Sequence, residues 1–217
     1  MCRLQTRQAR QEIQLQRFKQ YILEDISFER ERYYKEHTLK YDANSSCVVG
    51  WFDGKENQLK RFQTLIDIGV KSGDSVLDVG CGTGHLVEYF KKNNIKTYYT
   101  GIDTNEVAIK IAQRIHYFDE SYMCGDIFDV KEIYDWGLIS GVFNYRFPKV
   151  EMLKSIAHLI EKVNKGIAFN VLKGEIKKVP EYTYYSPEEI HSYFKQYTIQ
   201  IIENYGVEDD FTVWITK

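Results

Sequence analysis

The sequence predicts an α/β fold. Its core is a seven-stranded, mostly parallel sheet with a C-terminal antiparallel hairpin, helices on both faces and an N-terminal helical cap. Three observations carry this. Ser75 to Val79 is a short run rich in apolar and β-branched residues, as in a strand buried on both faces. It runs into Gly80, Gly82 and Gly84, and then into a helix over 85–92 with Leu86, Val87 and Phe90 on one side. Strand and helix patterns go on alternating as far as Leu172, which is the mark of a parallel sheet. Finally, Tyr197–Tyr205 and Phe211–Thr216 read as two strands whose short connection makes them an antiparallel pair.

With 217 residues the chain is long enough for one substantial core and an appended cap. Hydrophobic residues make up 43% and charged residues 28%, which fits a soluble globular protein. Lysine and arginine (29) nearly balance aspartate and glutamate (31), and the net charge of −2 argues against a broad nucleic-acid footprint. Cys2, Cys47, Cys81 and Cys124 form no C-x-x-C pair and have no histidine spacing suited to zinc, so no metal is expected. Reduced thiols, no stretch resembling a signal peptide and no apolar run of membrane-spanning length predict a cytoplasmic protein with no membrane partner.

The remaining elements follow in order. Residues 3–36 lack glycine and proline and are rich in good helix formers, with a partial apolar stripe of Ile13, Leu15, Phe18, Ile22 and Ile26. One long helix or two shorter ones are expected, either packed on the main body, capping a site, or forming a homodimer contact. Asn57–Ile68 reads as a helix, Lys96–Ile102 as the second strand, and Ser121 begins the third. Asp135–Tyr145 holds the fourth strand and its exit loop, Val150–Val163 a helix, and Lys165–Leu172 the fifth strand. Ser186-Pro187-Glu188-Glu189 is a capping box with proline at the first helical position.

The glycine spacing bears on the ligand. Dinucleotide sites use G-x-G-x-x-G, whereas here Asp78 precedes G-x-G-x-G. The pattern resembles motif I of the class I S-adenosylmethionine-dependent methyltransferases, and the likeness extends over residues 73–217. A bare strand–helix turn, or a nicotinamide or flavin site, are the alternatives. The resemblance implies S-adenosylmethionine as cofactor, S-adenosylhomocysteine as product, and contacts from Asp78, Gly80, Cys81, Gly82 and Gly84. It divides the chain into a cap or lid over 1–56 and a catalytic domain over 57–217.

The same resemblance assigns the other site residues. Asp103, with Thr104 beside it, matches the ribose-binding acid at the end of the second strand; a helix cap over 103–106 is the alternative. Asp126 and Ile127 match the adenine contacts, unless Asp126 is a turn aspartate. Gln58 and Arg61 lie just upstream of motif I, where an arginine meets the cofactor's carboxylate in similar enzymes; a surface salt bridge is the alternative. Trp51 and Tyr41 are placed to pack near the sulfonium, or else are core aromatics. Ser140-Gly141-Val142-Phe143 replaces the N-P-P-Y or D-P-P-Y of enzymes that methylate nucleobases and glutamine amides, which points to the small-metabolite branch. Ser140 is assigned to the cofactor, and Asn144, Arg146 and Tyr184 to the acceptor, with Arg146 favouring an anionic one. His37, Tyr41 and Tyr145 are the candidates for a general base. The implied reaction moves a methyl group to an O, N or S atom of a small metabolite. An enzyme acting on RNA or protein, or a non-catalytic binding subunit, are the alternatives.

Overall fold

The computed structural model describes residues 2–50, 53–116, 120–174 and 179–217, with side chains in the first helix described at 13, 15–17 and from 19 onward. The first helix, α1, is continuous over Cys2–Lys40, the longer of the two arrangements the composition allowed. A 3-10 turn at Ser46–Val49 leads to α2, Lys55–Ile66. Then come β1 (Ser75–Val79), α3 (His85–Lys92), β2 (Tyr98–Asp103), α4 (Glu106–Ile115), β3 (Ser121–Cys124), a 3-10 turn at Ile127–Asp129, and β4 (Tyr134–Ile139). The chain closes with α5 (Lys149–Glu161), β5 (Val163–Lys173), β6 (Tyr184–Tyr185), α6 (Pro187–Tyr193), β7 (Thr198–Ile202) and β8 (Asp210–Thr216).

The sheet runs β3-β2-β1-β4-β5-β8-β7. Pairs from β3 through β5 are parallel, and β8 is antiparallel to both β5 and β7. The expected seven strands form this path. An eighth, the two-residue β6, pairs with the end of β5; a segment that short has too few alternations to register as a strand pattern.

Alternate side chains divide between two cores, as the two-residue strand period requires. Leu77 and Val79 of β1, Ile167 and Phe169 of β5, and Phe211 and Val213 of β8 pack on one face with α5 and α6. Val76, Leu138 and Ala168 pack on the other, with Phe62 and Leu65 of α2, Phe90 of α3 and Ile109 of α4. Helix starts follow local chemistry. Asn105 caps α4 by accepting from the N–H groups of Val107 and Ala108. Ser186 and Glu189 form the expected capping box on α6.

Among the described residues of α1, those that line or touch this body begin at Gln20. Ile13, Leu15 and Ile22 of the apolar stripe are exposed, whereas Thr38 is buried.

Gly166 lets β5 and β8 come together. A Cβ built on it would sit 2.4 Å from the carbonyl oxygen of Ile215, and backbone cannot yield as a side-chain tip can. Gly166→Ala should therefore lower stability by about 1–3 kcal/mol, the usual cost of overpacking, with no change at the cavity described below. Denaturant unfolding of the two proteins checks it; equal midpoints would mean that the strands separate freely at this point.

Candidate active site

Sequence order in the sheet reverses between β1 and β4, and such switch points open a crevice at the carboxyl ends of the strands. A cavity of about 820 Å³ lies there. Its floor is Asp78–Gly82, Ile102–Asn105 and Ser140–Asn144; its roof is the C-terminal part of α1 with Val48, Val49 and Gly50.

The glycine loop is shaped by backbone conformation and by close approach. Gly80 and Gly82 have φ of 71° and 54°, where L side chains are strained. A Cβ on Gly80 would lie 2.2 Å from Val142 Cγ2, and one on Gly82 would lie 2.3 Å from Val49 Cγ1. The N-H groups of Gly80 and Cys81 both donate to the carbonyl of Ile102, at 2.8 and 3.2 Å. Asp103 completes the anchorage. Its Oδ2 accepts from the Gly82 N–H and its Oδ1 from the Asn105 N–H, each at 2.8 Å. Burial raises the Asp103 carboxyl above its ordinary value, while these two bonds pull it back down. Asp103 is thus not the cap of α4; Asn105 is, and Asp103 holds the loop before it.

Asp78 is buried and accepts from the Tyr99 hydroxyl at 2.6 Å. Burial, reinforced by the nearby charge of Asp103, pushes its carboxyl up to about 7 against that hydrogen bond. Cys81 and Thr104 line the cavity beside it. Asp126 and Ile127, after β3, line it too. Asp126 also caps the 3-10 turn after β3, with Oδ1 accepting from the Phe128 N–H at 3.1 Å. Ser140 donates to Asn170 Oδ1 at 3.3 Å, and Asn170 donates to Thr212 at 2.6 Å, tying the floor to β5 and β8. Asn144 lines the cavity while its Oδ1 accepts from the Leu172 N–H at 3.2 Å. Gln58 lines it too, held by His85.

Several expected site residues stand elsewhere. Gly84 begins α3 outside the cavity wall, and its missing Cβ makes room for His116 and Tyr122, so it is a packing glycine. Arg61 is neither a carboxylate receptor facing the cavity nor a surface salt bridge. It is buried outside the wall, with Nε on Asp210 at 2.8 Å and an Nη on Asp53 at 2.9 Å. His37 and Tyr41 are also outside the wall; His37 Nδ1 lies 2.7 Å from the Tyr33 carbonyl, and its ring is stacked toward Tyr41. Tyr145 stacks on Tyr33 at 3.9 Å and belongs to the same aromatic group. Arg146 is paired with Glu29 and accounts for no anion site in the cavity. Tyr184 borders a separate hollow of about 520 Å³ with Phe147, Lys149 and Glu189. Trp51 lies outside the described residues.

Conversely, the roof supplies residues that motif reading missed. Tyr34 of α1 lines the cavity, its ring edge against Gly50. Thr38 accepts from the Asn105 amide at 2.9 Å, and Ala43 O accepts from Thr83 at 3.3 Å. The adjacent aromatics Tyr33-Tyr34 were the available signal, since one of two neighbours on a helix must point differently from the other.

A family model described as a methyltransferase domain matches residues 70–211. Two curated relatives bear the word methyltransferase in their names. YdaC of Bacillus subtilis (strain 168) is 33% identical over 67 residues, 31% of this chain. Rv1506c of Mycobacterium tuberculosis (strain H37Rv) is 26% identical over 157 residues, 66% of this chain. The chain spans 37% of the length of the first and 93% of the second. In fold, it is similar to magnesium protoporphyrin IX methyltransferase (ChlM) from Synechocystis PCC 6803 with bound SAM. The TM-score is 0.60 at 16% identity, over 75% of this chain and 79% of that one.

The Asp78 environment generates a pH prediction. A carboxyl whose folded pKa lies above its unfolded value stabilises the fold fully below the unfolded value, and that stabilisation is lost as pH rises through the folded one. Asp78, at about 7 in the fold, should make the protein lose melting temperature between about pH 5 and pH 8. Asp78→Asn cannot ionise, so its melting temperature should fall less over the same range. Parallel melting curves would refute the burial argument.

Proposed function

This chain belongs to the methyltransferase-domain family, and from that premise we propose that it moves the methyl group of S-adenosylmethionine to an O, N or S atom of a small molecule. The observation that carries the reading is that one cavity is lined by the Gly80–Gly82 loop after β1, Asp103 at the end of β2 and Asp126 with Ile127 after β3, three neighbouring strands of the sheet. The pocket is of ordinary ligand size. Its residues fit the cofactor. Gly80 and Gly82 bring main chain to the cavity wall, with Val142 and Val49 packed where their Cβ atoms would be. Asp103 spends one lone pair of each oxygen on backbone N–H groups and keeps others for a ribose diol. Asp126 keeps Oδ2 as an acceptor that would suit an exocyclic amine, with Ile127 beside it in the wall.

When bound, S-adenosylmethionine supplies an electrophilic methyl on a sulfonium, already an excellent leaving group. The work left to the chain is therefore positioning and exclusion of water. The α1 roof performs both: Thr38 and Ala43 fasten it to the cavity floor, and Tyr34 faces inward. In this reading residues 1–56 are the cap and 57–217 the catalytic domain. Phe143, Phe147 and Glu151, with Ser27 and Glu31 of α1, form the wall left for the acceptor. That wall is of mixed polarity and suits a compact organic molecule. No general base is assigned, because His37, Tyr41 and Tyr145 stand outside the wall. The acceptor would then bring a nucleophile that needs little activation, such as an unprotonated amine or a thiolate. The free thiols of Cys47, Cys81 and Cys124 accord with a cytoplasmic setting.

S-adenosylmethionine or S-adenosylhomocysteine should raise the melting temperature, corresponding to about 2.7 kcal/mol at 100 times the dissociation constant, and NAD should not. A melt that moves with NAD alone would overturn the reading. Labelled cofactor offered to metabolite, RNA and peptide pools should mark a metabolite; label in RNA or peptide alone would overturn the small-molecule assignment.

Asp103→Ala should weaken S-adenosylhomocysteine binding about 10- to 150-fold, as expected for lost hydrogen bonds to a charged group. Asp103→Asn, which keeps one acceptor oxygen, should lose less. Calorimetric titration reads both, and unchanged affinity in both would remove Asp103 from the site.

A further inference from the structure

Gln58 is almost wholly buried in the wall of the cavity, and its amide is only half used. Nε2 lies 3.1 Å from His85 Nδ1, and His85 Nε2 lies 2.8 Å from the carbonyl oxygen of Ala43. A carbonyl can only accept, so Nε2 carries the imidazole proton and Nδ1 presents its lone pair. That tautomer sets the direction of the amide: Gln58 must offer its NH₂ to Nδ1, which turns Oε1 away from His85. Burial of the imidazole lowers its pKa and keeps it in this neutral form. Oε1 is shielded from solvent and meets no hydrogen-bond donor among the described residues. Buried carbonyl oxygens are nearly always satisfied, so an orphan in a cavity wall marks where a ligand's N–H or O–H belongs.

We propose that Gln58 Oε1 receives the ammonium group at the amino-acid end of the methyl donor, with His85 as the positioning residue that aims it. The inference rests on the reading of the cavity as an S-adenosylmethionine site. Topology selects this end of the ligand. Such a ligand offers donors at its adenine amine, its ribose hydroxyls and its ammonium. Asp126 and Asp103 follow β3 and β2, on one side of β1. Gln58 lies on α2, which packs against β5 and β8 on the other side. The donor left for it is the ammonium. A carboxylate is excluded because Oε1 can only accept, and Arg61 on the same helix already holds Asp210 and Asp53.

The test compares S-adenosylhomocysteine with its desamino analogue, which keeps the carboxylate, ribose and adenine and lacks only the amine. Wild type should bind S-adenosylhomocysteine about 10- to 100-fold more tightly in calorimetric titration. Gln58→Leu should abolish most of that preference by weakening S-adenosylhomocysteine alone, and Gln58→Glu, which keeps an acceptor oxygen, should retain it. His85→Leu should shrink the preference by freeing the amide to turn, and His85→Asn, whose Oδ1 can stand in for Nδ1, should restore it. If Gln58→Leu melts too low to titrate, Gln58→Met, closer in length, carries the same comparison. A Gln58→Leu or Gln58→Met protein that keeps the full preference, or that loses both ligands equally, would overturn the proposal. Equal binding of the two ligands by wild type would overturn it too while leaving the cofactor reading intact; binding of neither would count against the cofactor reading itself.

Discussion

The Asp103 carboxylate is the bolt on which the site depends. One oxygen holds the N–H of Gly82 and the other the N–H of Asn105, so the loops after β1 and β2 share one anchor. The consequence travels outward. Asn105, held by Asp103, caps α4 with its side-chain oxygen and gives its amide N–H to Thr38 of α1. Glycine loop, helix start and roof are therefore one hydrogen-bonded path. The cost of burying a carboxylate is offset by backbone N–H groups that would themselves otherwise need partners.

The roof has a second attachment at the β4–α5 loop. Tyr33 stacks on Tyr145, the Arg30 guanidinium lies 4.4 Å over the ring of Phe147, and Arg146 pairs with Glu29. Tyr145 and Arg146 are among the residues the sequence assigns to the chemistry, and the fold spends them on holding α1 down. On the proposed methyl transfer, whose leaving group departs readily, that use is coherent: a fixed, water-excluding cavity contributes more than an additional base.

What was legible in the sequence were features with local causes. The glycine run needs positive φ and close approach, the Ser186 box caps its own helix, and alternating strands and helices dictate a parallel sheet. The residues that stand outside the cavity wall are held there by non-local contacts. Arg61 meets Asp210, 149 residues later, and Arg146 meets Glu29, 117 residues earlier; no spacing rule reports such pairs. Gly84 belongs to the motif by pattern, but its space is taken by His116 and Tyr122, which only the packing of α4 and β3 brings there. Tyr33 and Tyr34 are neighbours on one helix, about 100° apart around its axis. Which of them faces the cavity depends on how α1 is rotated on the sheet, and that is set by contacts with Tyr145 and Asn105.

The two valines across from the glycine loop have an engineering consequence. Gly80 and Gly82 cannot be exchanged, since backbone angle and crowding both forbid a side chain there. Val142 and Val49, which cause the crowding, carry no hydrogen bond through their side chains, and both line the cavity. Trimming either to alanine would add room directly above the loop without touching an atom of the motif. These positions are thus the natural handles for widening the range of molecules the pocket admits, leaving the glycines as a fixed floor.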